Sequence, residues 1–128
     1  MRRRLFAITA FLLVSGCTAR DAGQARPAAV VFFTEDSAAL DDAAQQVIAT
    51  TATEALRGTG PVRVLGFAGP QGSAGFNRAL SDARARNVAD GLRAAGVPAG
   101  RIRIEPRGEV PFEMMPTESR RVEIVVAS

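Results

Sequence analysis

Histidine, tryptophan, tyrosine and lysine are absent from this 128-residue sequence, and cysteine occurs once. Without histidine, the chain has neither a Ser-His-Asp hydrolase site nor imidazole acid–base catalysis. A single cysteine excludes a disulfide within the chain and, in the absence of histidine, a Cys/His zinc site. The seven phenylalanines are the only aromatic residues, so any platform for stacking bases or sugars would rest on them. The sequence therefore predicts a protein that is not an enzyme and has no cofactor or bound metal.

Residues 1–16 have the pattern of a bacterial signal peptide. Arg2, Arg3 and Arg4 form a basic start, and the ten residues from Leu5 to Val14 are apolar apart from Thr9. A membrane-spanning helix needs about 20 apolar residues, so this stretch is too short to cross a bilayer. Its length is typical of the apolar region of a signal peptide.

The single cysteine follows this apolar stretch at once. Val14-Ser15-Gly16-Cys17 resembles the lipobox of bacterial lipoproteins, in which the cysteine thiol is acylated. Two or more acyl chains anchor a protein stably to a membrane, whereas one does not. We therefore expect a lipid anchor at Cys17. Thr18 stands where an aspartate would mark retention in the inner membrane of enteric bacteria, so we expect the outer membrane, with the domain in the periplasm.

Charge argues against nucleic acid as a partner. Three of the sixteen arginines lie in the signal peptide, so the remaining thirteen balance the thirteen acidic residues. A nucleic-acid-binding protein needs a surplus of positive charge gathered on one face. The mature chain has no such surplus.

The rest of the chain predicts a linker followed by one α+β domain. Residues 17–29 comprise the acylated cysteine and a polar, alanine-rich linker, and residues 30–128 form the domain. We predict the order β-α-β-α-β-β, with two helices packed on one face of a four-stranded mixed sheet. The predicted strands are 30–33, 62–67, 101–105 and 121–126. The first predicted helix has Ser37 as its N-cap and ends at Gly58, and the second covers about 76–95. Residues 106–119 are predicted to be irregular.

The second predicted helix contains one anomaly. Its apolar residues fall on one arc of the helical wheel, namely Phe76, Leu80, Ala83, Val88, Leu92 and Ala95. Arg84 lies near the centre of that arc, with Asn87 beside it. An unpaired buried charge is costly, so two interpretations stand open. Arg84 pairs with a carboxylate of its own domain, such as Glu105 or Glu123, or reaches solvent; alternatively, it faces a ligand carboxylate beside the glycine-rich loop.

Several segments resemble one known family. Residues 66–88 read GFAGPQGSAGFNRALSDARARNV and resemble the signature of the OmpA-like domain. The positions that match in register are Gly66, Gly72, Ser73, Asn77, Leu80, Ser81, Arg84 and Ala85. Residues 32–40 resemble the opening strand of that family, and residues 119–123 its closing Asn-Arg-Arg-Val-Glu, with Ser119 in place of Asn.

The resemblance implies a wall-binding function. Such domains bind the diaminopimelate of the peptidoglycan stem peptide without cleaving it: a loop Asp binds the ammonium group of the ligand, and the helix Arg binds its carboxylate. The resemblance thus gives a set of candidate peptidoglycan-binding residues, namely Arg84, Asn77, Gly69, Gln71 and Arg120.

This sequence departs from the family at one of these positions. Gly69 stands where the family has its Asp, so the ammonium-binding half of the site has lost its charge, unless Glu35, Asp36 or a carboxylate in residues 106–119 replaces it. Two functions therefore remain open. One is a lipoprotein that binds peptidoglycan non-covalently; the other is an OmpA-like domain that no longer binds the wall and serves an envelope protein partner or envelope assembly.

Overall fold

A computed structural model describes residues 26–127 of the chain. The expected signal peptide, Cys17 and most of the expected linker lie outside the described residues. The elements are β1 (Ala29–Phe32), α1 (Asp42–Ala55), β2 (Val62–Ala68), α2 (Ala74–Ala94), β3 (Ile102–Glu109) and β4 (Arg121–Val126). Two helices pack against a four-stranded mixed sheet, which confirms the predicted α+β class and order of elements. None of the helices in 26–127 has both the length and the apolar character that a membrane span requires.

The sheet places the ends of three strands at one edge. Its strand order is β1-β4-β2-β3, with β2 and β3 parallel and β4 antiparallel to both β1 and β2. It follows that β1, β2 and β3 all run in one direction. The segments after their carboxyl ends, and the segment before β4, therefore meet at the same edge.

The main core lies between the helices and the sheet. The predicted helical periodicity of α1 is confirmed, since Ala44, Thr51 and Ala55 are buried, while Leu40 and Val47 are partly buried against the core. In β4, alternation is also confirmed. Val122 and Ile124 face the core, and the partly buried Val126 packs against it.

The first helix begins later than the sequence predicts. Asp41, and not Ser37, is its N-cap, and the Asp41 carboxylate accepts a hydrogen bond of 2.7 Å from the backbone N–H of Ala44. Ser37 caps only a local turn, because its hydroxyl accepts from the N–H of Ala39. The reason lies in α2, whose side chains Arg84 and Asn87 bind the backbone carbonyls of residues 37 and 38. Because these two carbonyls accept hydrogen bonds from side chains of α2, residues 37 and 38 do not adopt helical geometry.

The buried face of α2 also differs from the predicted arc. Phe76 is half exposed and Ala95 is exposed, whereas Ser81, Ala85 and Ala89 are buried. These three small residues, spaced four apart, form the stripe by which the helix lies on the sheet. Close approach requires Gly66 on β2, since a Cβ atom there would lie 2.0 Å from the backbone oxygen of Ser81.

The third strand is longer than predicted. It continues through Pro106 to Glu109, so the first residues of the predicted irregular stretch belong to the sheet. Pro106 is tolerated because β3 is an edge strand, where a missing N–H need not remove a ladder hydrogen bond. The pairing register between β2 and β3 shifts between Gly66 and Phe67 of β2. Next to this shift, the hydroxyl of Ser81 accepts a hydrogen bond of 3.1 Å from the backbone N–H of Gly108.

Replacement of Gly66 by alanine should destabilise the domain by about 3 kcal/mol, because the added methyl group meets the rigid backbone of α2. Urea unfolding of the purified protein measures this effect. Gly75→Ala is the matched control, because nothing lies within 4 Å of the added methyl group. It also lies within α2, where alanine is favoured over glycine by roughly 0.5–1 kcal/mol. Equal stability of the two variants would contradict the close packing of α2 on β2.

Candidate functional site

A cleft opens at the sheet edge where β1, β2 and β3 end. It is open to solvent and its free volume is about 40 Å³, well below that of a site that encloses a whole small molecule, so it has room for a single functional group of a ligand. Its lining comes from four segments of the chain: the turn after β1, the loop after β2, the first half of α2 and the segment between β3 and β4. The lining residues are Glu35, Asp36, Gly69, Pro70, Gln71, Leu80, Arg84, Phe112, Pro116, Ser119 and Arg120.

Arg84 forms the inner end of this cleft. Its side chain is fully buried, and its guanidinium donates three hydrogen bonds to backbone carbonyls. Nε donates to Ser37 at 2.8 Å, Nη2 to Thr34 at 3.0 Å and Nη1 to Phe67 at 3.1 Å. A guanidinium has five N–H groups, so two are not used in these contacts. The cation also lies 5.2 Å from the centre of the Phe33 ring, which is within the range of a cation–π contact.

The pairing of Arg84 with Glu105 or Glu123, one of the two sequence interpretations, is wrong. Glu105 accepts from Arg63 at 2.8 Å, and Glu123 accepts from Arg121 at 3.0 Å. Both carboxylates therefore already have arginine partners of their own. Arg84 does not reach solvent either, because carbonyl groups from two strand ends surround it. Its hydrogen bonds are met by neutral partners, and its charge is not neutralised by any of them.

The electrostatics of the cleft favour an anion. The pKa of Arg84 is lowered to about 10, chiefly by burial and also by the positive charge of Arg120, while the carboxylate of Asp36 acts in the opposite direction. The guanidinium remains charged at neutral pH, but its burial beside a second positive charge costs free energy. A negative group entering the cleft would relieve both the desolvation and the repulsion between the two arginines.

Arg120 is the more accessible of the two cations. Its side chain is 20% exposed, Nη2 contacts the hydroxyl of Thr117 at 3.3 Å, and Nη1 lies 3.9 Å from the carboxylate of Glu35. Its Nε is buried and has no hydrogen-bond partner among residues 26–127. Buried donors in proteins are nearly always paired, so this N–H of a cleft-lining side chain marks a position where an acceptor is missing.

Carboxylates lie at the same cleft, in the turn after β1. Glu35 and Asp36 are both exposed, and the Glu35 side chain is 69% exposed. Asp36 has a positive φ of 51°, a conformation that aspartate and asparagine tolerate better than other side chains. Within residues 26–127 no group of three or more potential metal ligands is found.

The glycine-rich loop fixes the start of α2. Gly72 has a φ of 93°, which requires glycine, and Ser73 is the N-cap, its hydroxyl accepting from the N–H of Phe76 at 3.1 Å. Gly69 lines the cleft with no side chain. A Cβ atom at Gly69 would lie 3.2 Å from the hydroxyl of Ser119, a buried residue that also lines the cleft.

The structure brings together four of the five candidate residues. Arg84, Gly69, Gln71 and Arg120 line the cleft, but Asn77 does not. The amide of Asn77 instead donates to Glu109 at 2.9 Å and joins α2 to the end of β3. Sequence reasoning missed the apolar part of the lining, formed by Leu80, Phe112 and Pro116; nothing in their spacing signals a shared cleft.

Comparison with known proteins agrees with this architecture. Residues 32–121 match the OmpA family. The chain belongs to the OmpA family. Outer membrane protein 40 of Porphyromonas gingivalis is 39% identical over 80 residues, which cover 62% of this chain and 21% of that protein. The present chain thus matches about a fifth of the length of this relative.

Solved structures show the same OmpA-family fold. The peptidoglycan-associated lipoprotein from Burkholderia pseudomallei has a TM-score of 0.70 at 22% identity, over 75% of this chain and 87% of that one. The C-terminal domain of Helicobacter pylori MotB has a TM-score of 0.68 at 19% identity, over 78% of this chain and 84% of that one. At these identities the likeness establishes the fold.

Arg84→Lys should destabilise this OmpA-family domain by roughly 2–4 kcal/mol, because an ammonium group cannot reach three carbonyls that lie around a planar guanidinium. Thermal or urea unfolding measures the loss. Arg86→Lys is the matched control two residues away, since Arg86 is exposed and pairs with Asp82 on the helix surface; its effect should stay within about 0.5 kcal/mol. If Arg84→Lys proves as stable as the control, the three carbonyl contacts do not organise the cleft.

Proposed function

We propose that this chain is a lipoprotein of the outer membrane whose OmpA-family domain binds peptidoglycan non-covalently in the periplasm. The ligand group is the diaminopimelate of the stem peptide, and the binding residues are Arg84, Arg120, Gly69 and Gln71 at the cleft. The domain holds the wall without cleaving it. A relative of the same fold is itself named a peptidoglycan-associated lipoprotein, which supports the proposal.

The observation that carries this proposal is the pair of arginines in the cleft. Within the part of the chain that the structure describes, Arg84 donates to carbonyls and to no carboxylate, and Arg120 has a buried N–H without an acceptor. A ligand carboxylate would supply both the missing charge and the missing acceptor. Hydrogen bonds between charged groups contribute about 1.5–3 kcal/mol each, so one such group suffices for a weak, reversible contact.

The direction of the chain also supports attachment between a membrane and the wall. Residue Ala28 lies beside Ile124, at the sheet edge opposite the cleft. An anchor at Cys17 would therefore join the domain on the side away from its binding site. Residues 18–29 would reach at most about 40 Å when fully extended, so the cleft would face outward from the membrane at short range.

Replacement of Arg120 by glutamine should weaken the binding of the protein to purified diaminopimelate-containing sacculi by roughly tenfold, since one charge-assisted contact is lost. Co-sedimentation with sacculi measures the bound fraction. Arg93→Gln is the matched control, because Arg93 lies in the last turn of α2 and pairs only with the exposed Asp90. Wild-type protein that stays in the supernatant would contradict wall binding.

A second function has one observation in its favour. Met114 and Met115 are 84% and 61% exposed, and Phe112 beside them lines the cleft. Exposed methionines adapt readily to apolar partners, as expected for a domain that serves an envelope protein. This second function would gain support if wild type failed to sediment with sacculi while Gly69→Asp gained binding.

The lipid anchor has its own test. Cys17→Ser should move the protein from the membrane fraction to the soluble periplasmic fraction and abolish incorporation of a labelled palmitate analogue, because the thiol that carries the diacylglycerol is gone. The control is Ser15→Ala, which keeps a small residue before the cysteine. Unchanged membrane association and labelling of the Cys17→Ser protein would show that the anchor is elsewhere.

A further inference from the structure

The turn that follows β1 is held in place by Arg84. The guanidinium binds the carbonyls of Thr34 and Ser37, which flank Glu35 and Asp36. The same guanidinium binds the carbonyl of Phe67 near the end of β2. The backbone of this acidic turn is therefore fixed relative to the cleft, although its two carboxylate side chains are exposed.

The two carboxylates of the turn are not equivalent. Asp36 acts directly on the charge of Arg84, which it partly compensates. Glu35 lies at the limit of an ion pair with Arg120, at 3.9 Å, and most of its side chain is exposed. Its charge is thus only weakly satisfied within the protein, and Glu35 is one of the residues that line the cleft.

The cleft therefore presents charges of both signs to a ligand. Arg84, Arg120 and Glu35 all line it, and the Glu35 carboxylate lies 3.9 Å from Arg120. Gly69, which also lines the cleft, adds no charge. A ligand with an anionic and a cationic group would displace the loose contact between Glu35 and Arg120 and give each a closer partner.

We propose that Glu35 binds the ammonium group of a zwitterionic wall peptide and replaces the carboxylate that Gly69 does not supply. This assignment rests on the proposed function and names the residue that determines its specificity for an amine. In addition to its place in the cleft, Arg84 positions Glu35, because it fixes the turn on which Glu35 lies.

The test compares binding to native sacculi with binding to sacculi whose free amines have been acetylated. Wild type should bind the acetylated sacculi roughly fivefold to tenfold more weakly, because the ammonium charge is gone. Glu35→Gln should bind native sacculi as weakly as wild type binds acetylated ones, and should no longer distinguish the two. The full chain is used throughout, and thermal unfolding shows that each variant is folded.

Three further variants test whether the effect is specific to the carboxylate of Glu35. Glu54→Gln, in the last turn of α1, should behave as wild type. Asp36→Asn retains a residue suited to the positive φ and should change the ratio less than twofold. Gly69→Asp in the Glu35→Gln background should restore both affinity and discrimination, because it adds a carboxylate to the lining of the cleft; the Ser119 hydroxyl, 3.2 Å from the added Cβ atom, must shift by a few tenths of an ångström.

The outcomes separate this assignment from the proposed function. If wild type binds neither kind of sacculus, wall binding itself fails. If wild type binds and discriminates but Glu35→Gln does so equally well, or if Asp36→Asn alone removes discrimination, the assignment to Glu35 is overturned and wall binding stands. Loss of discrimination in Glu35→Gln together with its recovery on addition of Gly69→Asp supports the assignment.

Discussion

The guanidinium of Arg84, bound to the carbonyls of Thr34, Ser37 and Phe67, is the contact on which the functional end of this domain depends. It joins the end of β1 to the end of β2 and defines the inner surface of the cleft. Carbonyl dipoles satisfy its hydrogen bonds, but its positive charge is compensated only in part, by the carboxylate of Asp36. A structural cation paired with a carboxylate would have produced a stable but electrically neutral cleft.

This arrangement couples stability to recognition. The contacts that bury Arg84 also fix the acidic turn, so the positive and negative groups of the cleft are preorganised by one side chain. Preorganised charges bind a matching ligand with little loss of conformational freedom. Gly69 contributes no charge to the cleft, and Glu35 lies where its carboxylate can supply the negative charge for a cationic group of the ligand.

Much of the fold could be predicted from the sequence, whereas the partners of key side chains could not. The alternation in β4 and the helical spacing in α1 identified their buried faces, and the position of Arg84 on an apolar arc indicated that it points inward. Its true partners are backbone carbonyls, two in the irregular turn after β1 and one in β2, which no sequence pattern marks, and the contact with the Ser37 carbonyl kept Ser37 from capping α1. The rotation of α2 depended on the contact between Gly66 and Ser81, which lie 15 residues apart in the chain, and the bond from Asn77 to Glu109 likewise depends on tertiary packing.

Binding of the wall peptide at the two arginines can be measured by nuclear magnetic resonance of their Nε–H groups, with a soluble muropeptide containing diaminopimelate as the ligand. We expect large, saturable shifts of the Arg120 Nε–H signal, smaller shifts of Arg84, and backbone amide shifts confined to residues 34–37, 69–71 and 119–120. Absence of shifts in the arginine signals, or shifts confined to Met114 and Met115, would show that the cleft is not the site at which this domain binds the wall peptide.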